Sequence, residues 1–162
     1  MSLSADRSTV TNLERRIDSD NYMMALPAMA PGTGQHTISM KVDGRNRRPM
    51  VLCGVVREGA LWSADHSRKG STTGWFIDAG DGSLNGNGKE GDDEAGPVFA
   101  GQVVTMQVDL GNGTLKFWVD GKPHGPGYTH GVTGPVQWAV SLFFTDASVQ
   151  IVPTPELEPW EE

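Results

Sequence analysis

Val104, Met106, Val108 and Leu110 alternate with other residues, the chain reverses at Gly111-Asn112-Gly113, and Leu115, Phe117 and Val119 alternate back. This pattern constrains the fold more than any other. Successive strand residues point to opposite faces, so period-2 apolar spacing around an Asn-Gly reversal predicts an antiparallel hairpin with one buried face. Asp120-Gly121 supplies a second turn of the same chemistry. Alternation recurs at Ile38, Met40 and Val42, at Val136, Trp138, Val140, Leu142 and Phe144, and at Val149 and Ile151. Met50 to Val56 (MVLCGVV) is apolar on both faces, which predicts a central strand covered on both sides. Gly54 within it implies a close approach by another segment, such as an aromatic ring lying over it. Shorter runs at Asn21–Pro27 and Gly74–Ile77 read as further strands. The 21 Gly and 10 Pro cut the chain after Leu26 into runs mostly under ten residues long. Such runs suit strands, and Gly and Pro disfavour helix interiors. The chain is therefore expected to be all-β, a sandwich or barrel of antiparallel strands.

Composition narrows the class. At 162 residues and 37% hydrophobic, one core is affordable and two are not. No apolar run approaches the length of a membrane-spanning helix, and the first ten residues carry no apolar signal region. Cys53 is the one cysteine, so no internal disulfide forms, which suits a reducing compartment and a cytoplasmic or nuclear location. Residues 1–69 carry a net charge of +3 and residues 70–162 a net charge of −10. An acidic second half argues against nucleic acid or an anionic membrane as a partner, because both need clustered Lys and Arg. Arg45, Arg47 and Arg48 form the one basic cluster, a solvated turn or an anchor for a carboxylate-bearing peptide.

Residues 1–19 read as an N-terminal extension, either a short helix with one apolar stripe (Val10, Leu13, Ile17) or an extended arm. Residues 20–153 form the β domain, and 154–162, rich in Pro and Glu, read as a free tail. Residues 78–97 hold six Gly and six acids, the composition of a mobile, exposed insertion.

No catalytic or zinc-binding motif is present: no G-x-S-x-G, no HExxH, no Cys/His set at ligand spacing. Glu90, Asp92 and Glu94 share the spacing of paired glycosidase carboxylates, but Gly91 and Asp93 between them provide no apolar face to hold a strand. Asp81, Ser83, Asn85, Gly86, Asn87 and Asp92 loosely match a calcium loop, with Asp where Glu belongs and no flanking helices. The expectation is no enzyme, no metal and no cofactor. Trp62 and Trp75 fall near strand ends, where aromatics serve as binding anchors or close the ends of the core.

The stretch GQVVTMQVDLGNGTLKFWVDGKPHG at 101–125, GQHTISMKV at 34–42, VLCGVV at 51–56 and the pattern from Gly134 to Ile151 resemble, in order and spacing, the SPRY domain family. Departures are Gln102 where that family usually has Asp, and Ser39 or Met40 where an aromatic residue and Glu are common. The resemblance implies a bent sandwich of two antiparallel sheets, a concanavalin-like jelly-roll architecture, without catalytic activity. It also implies that loops at one edge bind a segment of a partner protein, as in intracellular adaptors. By position those loops correspond to Arg45–Arg48, to Ala60–Gly74 with Trp62 and, just after it, Trp75, and to Phe143, Phe144 and Thr145, with Phe143 directed outward. The expected function is recognition of a peptide or loop by a domain that is monomeric by itself. A carbohydrate-binding sandwich, with exposed Trp for stacking and calcium in the 81–92 loop, is the alternative.

Overall fold

Each alternating run folds as a strand, and the strands close over their apolar sides. The computed structural model describes residues 2–3, 9–11, 22–25, 34–44, 51–58, 71–142 and 147–160. Its strands in chain order are β1 (Ser2–Leu3), β2 (Thr9–Thr11), β3 (Tyr22–Ala25), β4 (Gln35–Asp43), β5 (Val51–Arg57), β6 (Gly74–Asp78) and β7 (Leu84–Gly86). They continue with β8 (Lys89–Asp92), β9 (Val103–Asp109), β10 (Thr114–Val119), β11 (Lys122–Pro123), β12 (Val136–Leu142) and β13 (Ser148–Val152). One sheet runs β1-β2-β13-β4-β9-β10-β11 and the other β3-β12-β5-β6-β7-β8, all pairings antiparallel. This is an all-β sandwich, one of the two architectures that the alternation allows and the one that the resemblance implies.

The core lies between the sheets. Ile38, Met40, Val42, Val104, Met106, Val108, Leu115 and Phe117 come from one side, and Val51, Cys53, Val55, Trp75, Ile77, Val136, Trp138, Val140 and Leu142 from the other. Leu52, Val56, Phe76 and Ala139 form a second buried cluster on the far face of the β5–β6–β12 sheet. That answers the two-sided apolar pattern of β5.

Cys53 is fully buried in β5, and burial, reinforced by the nearby Asp78 carboxylate, pushes its thiol up to about 12. The thiolate, the reactive form, is then scarce at neutral pH. Native chain at pH 7.5 should label with a disulfide-exchange reagent at least about 100-fold more slowly than chain in urea. Equal rates would place Cys53 at the surface.

Three sequence expectations change. Residues in the 1–19 stretch supply strands: β2 pairs with β13 (Val10↔Val149) and β1 with β2, so the helix alternative fails there. Residues 78–97 contain the β7–β8 hairpin rather than an unstructured insertion. Asn87 (φ 49°) and Gly88 (φ 94°) make its tight turn, while Ala79, Ser83 and Leu84 are buried. Residues 153–160 do not hang free but cross the outer face of the larger sheet, as described below.

Two turns of the strongest motif differ in type. Asp120 and Gly121 both take positive φ (49° and 81°), a two-residue reversal closing β10 onto β11. At 110–113 only Gly113 does (φ 73°), and the Asp109 carboxylate organises the loop. It accepts from the Gly111 and Asn112 N–H groups at 3.0 Å, from Asn112 Nδ2 at 2.9 Å and from Gln35 Nε2 at 3.3 Å. These donors, the Asn112 N–H foremost, hold that carboxyl below its ordinary range.

Candidate functional site

Strand register decides which expected binding segments meet. Asp43 pairs with Ser148, and Val51 with Leu142. The connection bearing Arg45, Arg47 and Arg48 and the one bearing Phe143, Phe144 and Thr145 are therefore tethered at one end of the sandwich. Trp62 belongs to a connection tethered at Glu58 and Ser71. Those residues lie past the other end of β5, where Arg57 pairs with Val136 and Val56 with Gly74. At about 3.3 Å per residue the two ends of β5 are roughly 20 Å apart. The three segments thus divide into two groups by anchorage. Arg45, Arg47, Arg48, Trp62, Phe143, Phe144 and Thr145 themselves lie outside the described residues.

Trp75 is described, and it corrects an expectation. It is 1% exposed and belongs to the central core, so it is no surface anchor. Its position in β6, opposite Val55, points the ring inward on the alternation of that strand. The Arg57 guanidinium sits 5.4 Å from the ring centroid. Arg57 also donates from Nε to the Thr72 carbonyl (3.0 Å), from Nη1 to the Thr133 carbonyl (3.1 Å) and from Nη2 to Thr133 Oγ1 (2.7 Å). This arginine ties the 71–73 and 133–135 segments to the end of β5. Trp118 and Trp138 are also buried, which removes three of the five tryptophans from any sugar-stacking surface.

The calcium-like stretch is committed to its own backbone. Asp81 Oδ1 accepts from the Ser83 N–H (2.9 Å) and Asn85 Oδ1 from the Gly91 N–H (3.1 Å). Asn85 Nδ2 donates to Ser83 Oγ (3.1 Å). Among the described residues no three His, Cys, Asp or Glu side chains gather as a metal site would require. Glu90 and Asp92 lie on β8, an exposed edge strand rather than a cleft.

A groove that the sequence reading missed opens beside β10. It measures about 730 Å³ and is lined by Thr114, Lys116, Pro123, Pro126, Tyr128 and Trp160, among others. Its floor is rigid. Tyr128 exchanges backbone hydrogen bonds with Leu115 at 2.9 and 3.0 Å, extending the sheet past β10. The Tyr128 hydroxyl is directed at the Phe76, Asn85 and Gly86 carbonyls (3.2, 2.9 and 3.2 Å) and accepts from the Phe76 N–H (3.3 Å). Burial drives that phenol well above its ordinary range, so it stays a neutral donor. The signals for this groove were the Gly125-Pro126-Gly127-Tyr128 turn and a lone Trp160 in a polar stretch. Gln102, the departure from the family pattern, accepts from the Phe99 N–H (2.8 Å) and donates to Asp120 Oδ2 (3.0 Å). A carboxylate could make only the first of these contacts.

No protein-family model and no curated protein sequence matches this chain. Solved structures do. The chain superposes on a human SPRY domain with a TM-score of 0.68 at 13% identity, covering 96% of this chain and 97% of that one. The fold is that of SPRY domains. The SPRY domain of human HERC1 (TM-score 0.64, 15% identity) covers 85% of this chain and 91% of its own. The TRIM65 PSpry domain (0.66, 17%) covers 94% of this chain and 85% of its own. At these identities the SPRY likeness speaks for the backbone, and no binding residue transfers by alignment.

Proposed function

We propose that this chain is a non-enzymatic interaction domain that holds a peptide segment or loop of a protein partner inside the cell, in the cytoplasm or nucleus. The observation that carries the reading is the pairing of Asp43 with Ser148 and Val51 with Leu142 in a SPRY fold. It anchors the flanks of the two connections that bear Arg45–Arg48 and Phe143–Thr145 at the same end of the sandwich. Loops mounted on a rigid scaffold lose less entropy on binding. The arginines would supply bidentate donors for carboxylates, and Phe143 and Phe144 would supply apolar contact area. Partner binding by the chain as a monomer fits this arrangement.

The test is selection of a phage-displayed random peptide library on the intact chain, followed by affinity measurement on variants. Phe143→Ala and Arg47→Ala are each expected to weaken the selected peptides at least about tenfold, the scale of an interface hot spot. Trp62→Ala, anchored at the far end, should leave them unchanged. Full affinity in both Phe143→Ala and Arg47→Ala would overturn the assignment.

A further inference from the structure

One strip of the outer face of the larger sheet is dry, where the alternation predicts a wet surface. Ser39 on β4, Thr105 on β9 and Trp118 on β10 occupy outward positions of the alternation, yet they are 1%, 0% and 4% exposed. Residues 153–160 cover them. From β13 this segment crosses to β10, held at Thr154, Glu158 and Trp160. Ser39 Oγ, itself 2.7 Å from Thr105 Oγ1, donates to Thr154 Oγ1 at 3.0 Å. The Glu158 N–H donates to the Gly121 carbonyl at 2.8 Å, and the Trp118 indole N–H donates to the Glu158 carbonyl at 2.9 Å. Trp160 stacks edge-on against Trp118 with centroids 5.2 Å apart, and Lys116 Nζ lies 5.8 Å from the Trp160 ring centre.

These contacts read an extended chain as peptide-binding faces do. Both backbone groups of Glu158 are used, while the Glu156 and Glu158 side chains stay exposed. Pro155, Leu157 and Trp160 are the half-buried positions of the segment, spaced Pro-x-Leu-x-x-Trp. A Cβ on Gly121 would lie 2.4 Å from the Glu156 carbonyl oxygen, so only glycine there lets the segment lie flush. The groove of about 730 Å³ continues past Glu158, Pro159 and Trp160 along β10, leaving room for a longer ligand.

We propose that this face is a second docking surface, for an extended protein segment with the spacing Pro-x-Leu-x-x-Trp, and that residues 153–160 are its resident, displaceable occupant. The proposal stands apart from the loop-borne site, and either can fail without the other. A partner carrying the pattern would displace the strap and bury its own aromatic residue against Trp118.

The test uses the intact chain and a fluorescein-labelled synthetic peptide, PTPELEPWEE, followed by anisotropy. Glu158→Pro removes the N–H given to Gly121, and Trp160→Ala removes the stacked ring, both on the strap and neither on the docking face. Each variant is expected to bind the peptide at least tenfold more tightly than the unaltered chain, because its own strap competes less. A peptide with Ala in place of its Trp should bind at least tenfold more weakly. The proposal is overturned if both variants bind no more tightly than the unaltered chain, or if a scrambled peptide binds equally well. Dimerisation of the variants without peptide binding would assign the face to a second copy of the chain, and would overturn it too. Should Glu158→Pro not fold, Trp160→Ala decides.

Discussion

Gly54→Ala is expected to cost about 4 kcal/mol or more, which for a domain of ordinary stability removes most or all of the folded population. Gly54 lies mid-strand in β5, between Phe76 on β6 and Ala139 on β12. A Cβ placed on it would sit 1.9 Å from the Trp75 carbonyl oxygen and 2.8 Å from Phe76 Cα. Both are main-chain atoms, so no side-chain tip can swing aside. Relief requires β5 and β6 to part, which loosens the ladder from Leu52↔Asp78 to Val56↔Gly74 and the core positions Trp75 and Ile77 with it. Gly88→Ala is the control. It has open space around it, so its cost is conformational alone, about 1–2 kcal/mol for a side chain at φ 94°. Urea unfolding of the two variants separates steric from conformational cost, and a Gly54→Ala loss no larger than that of Gly88→Ala would refute the close approach.

The close approach of another segment that Gly54 implies is present, and the segment is the backbone of β6 rather than an aromatic ring, the example the sequence suggests. The difference is instructive, because periodicity reports which face of a strand is apolar and nothing about how near the next strand runs. The same division explains the other outcomes. β4, β5, β9, β10, β12 and β13 were legible because apolar residues alternate in them or fill them. The β7–β8 hairpin was missed although Asn87-Gly88 is the same turn signal as Asp120-Gly121. Its strands carry Asn, Lys, Glu and Gly, so composition outweighed the turn. The strap over Ser39, Thr105 and Trp118 was missed for a related reason. A segment held by two hydrogen bonds to its backbone, one to the Thr154 hydroxyl and one ring leaves little periodic trace. Only the pairing of a polar face with an isolated Trp160 hinted at it. The proposed loop-borne site rests on residue types that the sequence shows, Arg45 to Arg48 and Phe143 to Thr145. Strand register adds only where the flanks of those connections are anchored, at the end of β5 opposite to the flanks of the connection that bears Trp62.

Trp75→Ala is expected to destabilise the chain by about 3–5 kcal/mol, the scale of a large aromatic removed from a closed core. The sequence allowed two roles for this residue, surface anchor or core, and they predict different measurements. The ring is 1% exposed, packed among the buried side chains between the sheets, with the Arg57 guanidinium 5.4 Å from its centre. Removing it leaves a cavity that the β5–β6 ladder cannot collapse without losing register. It also strips Arg57 of its aromatic contact while the bonds to Thr72 and Thr133 remain. A double-mutant cycle pairing Trp75→Leu with Arg57→Gln should therefore show a coupling of about 0.5–1 kcal/mol. Trp75→Phe keeps an aromatic ring, should cost clearly less than Trp75→Ala, and should leave the selected peptides bound at full affinity. A Trp75→Ala chain that melts like the unaltered one but no longer retains those peptides would reverse the assignment, since only a ring at the surface can lose a partner without loosening the fold.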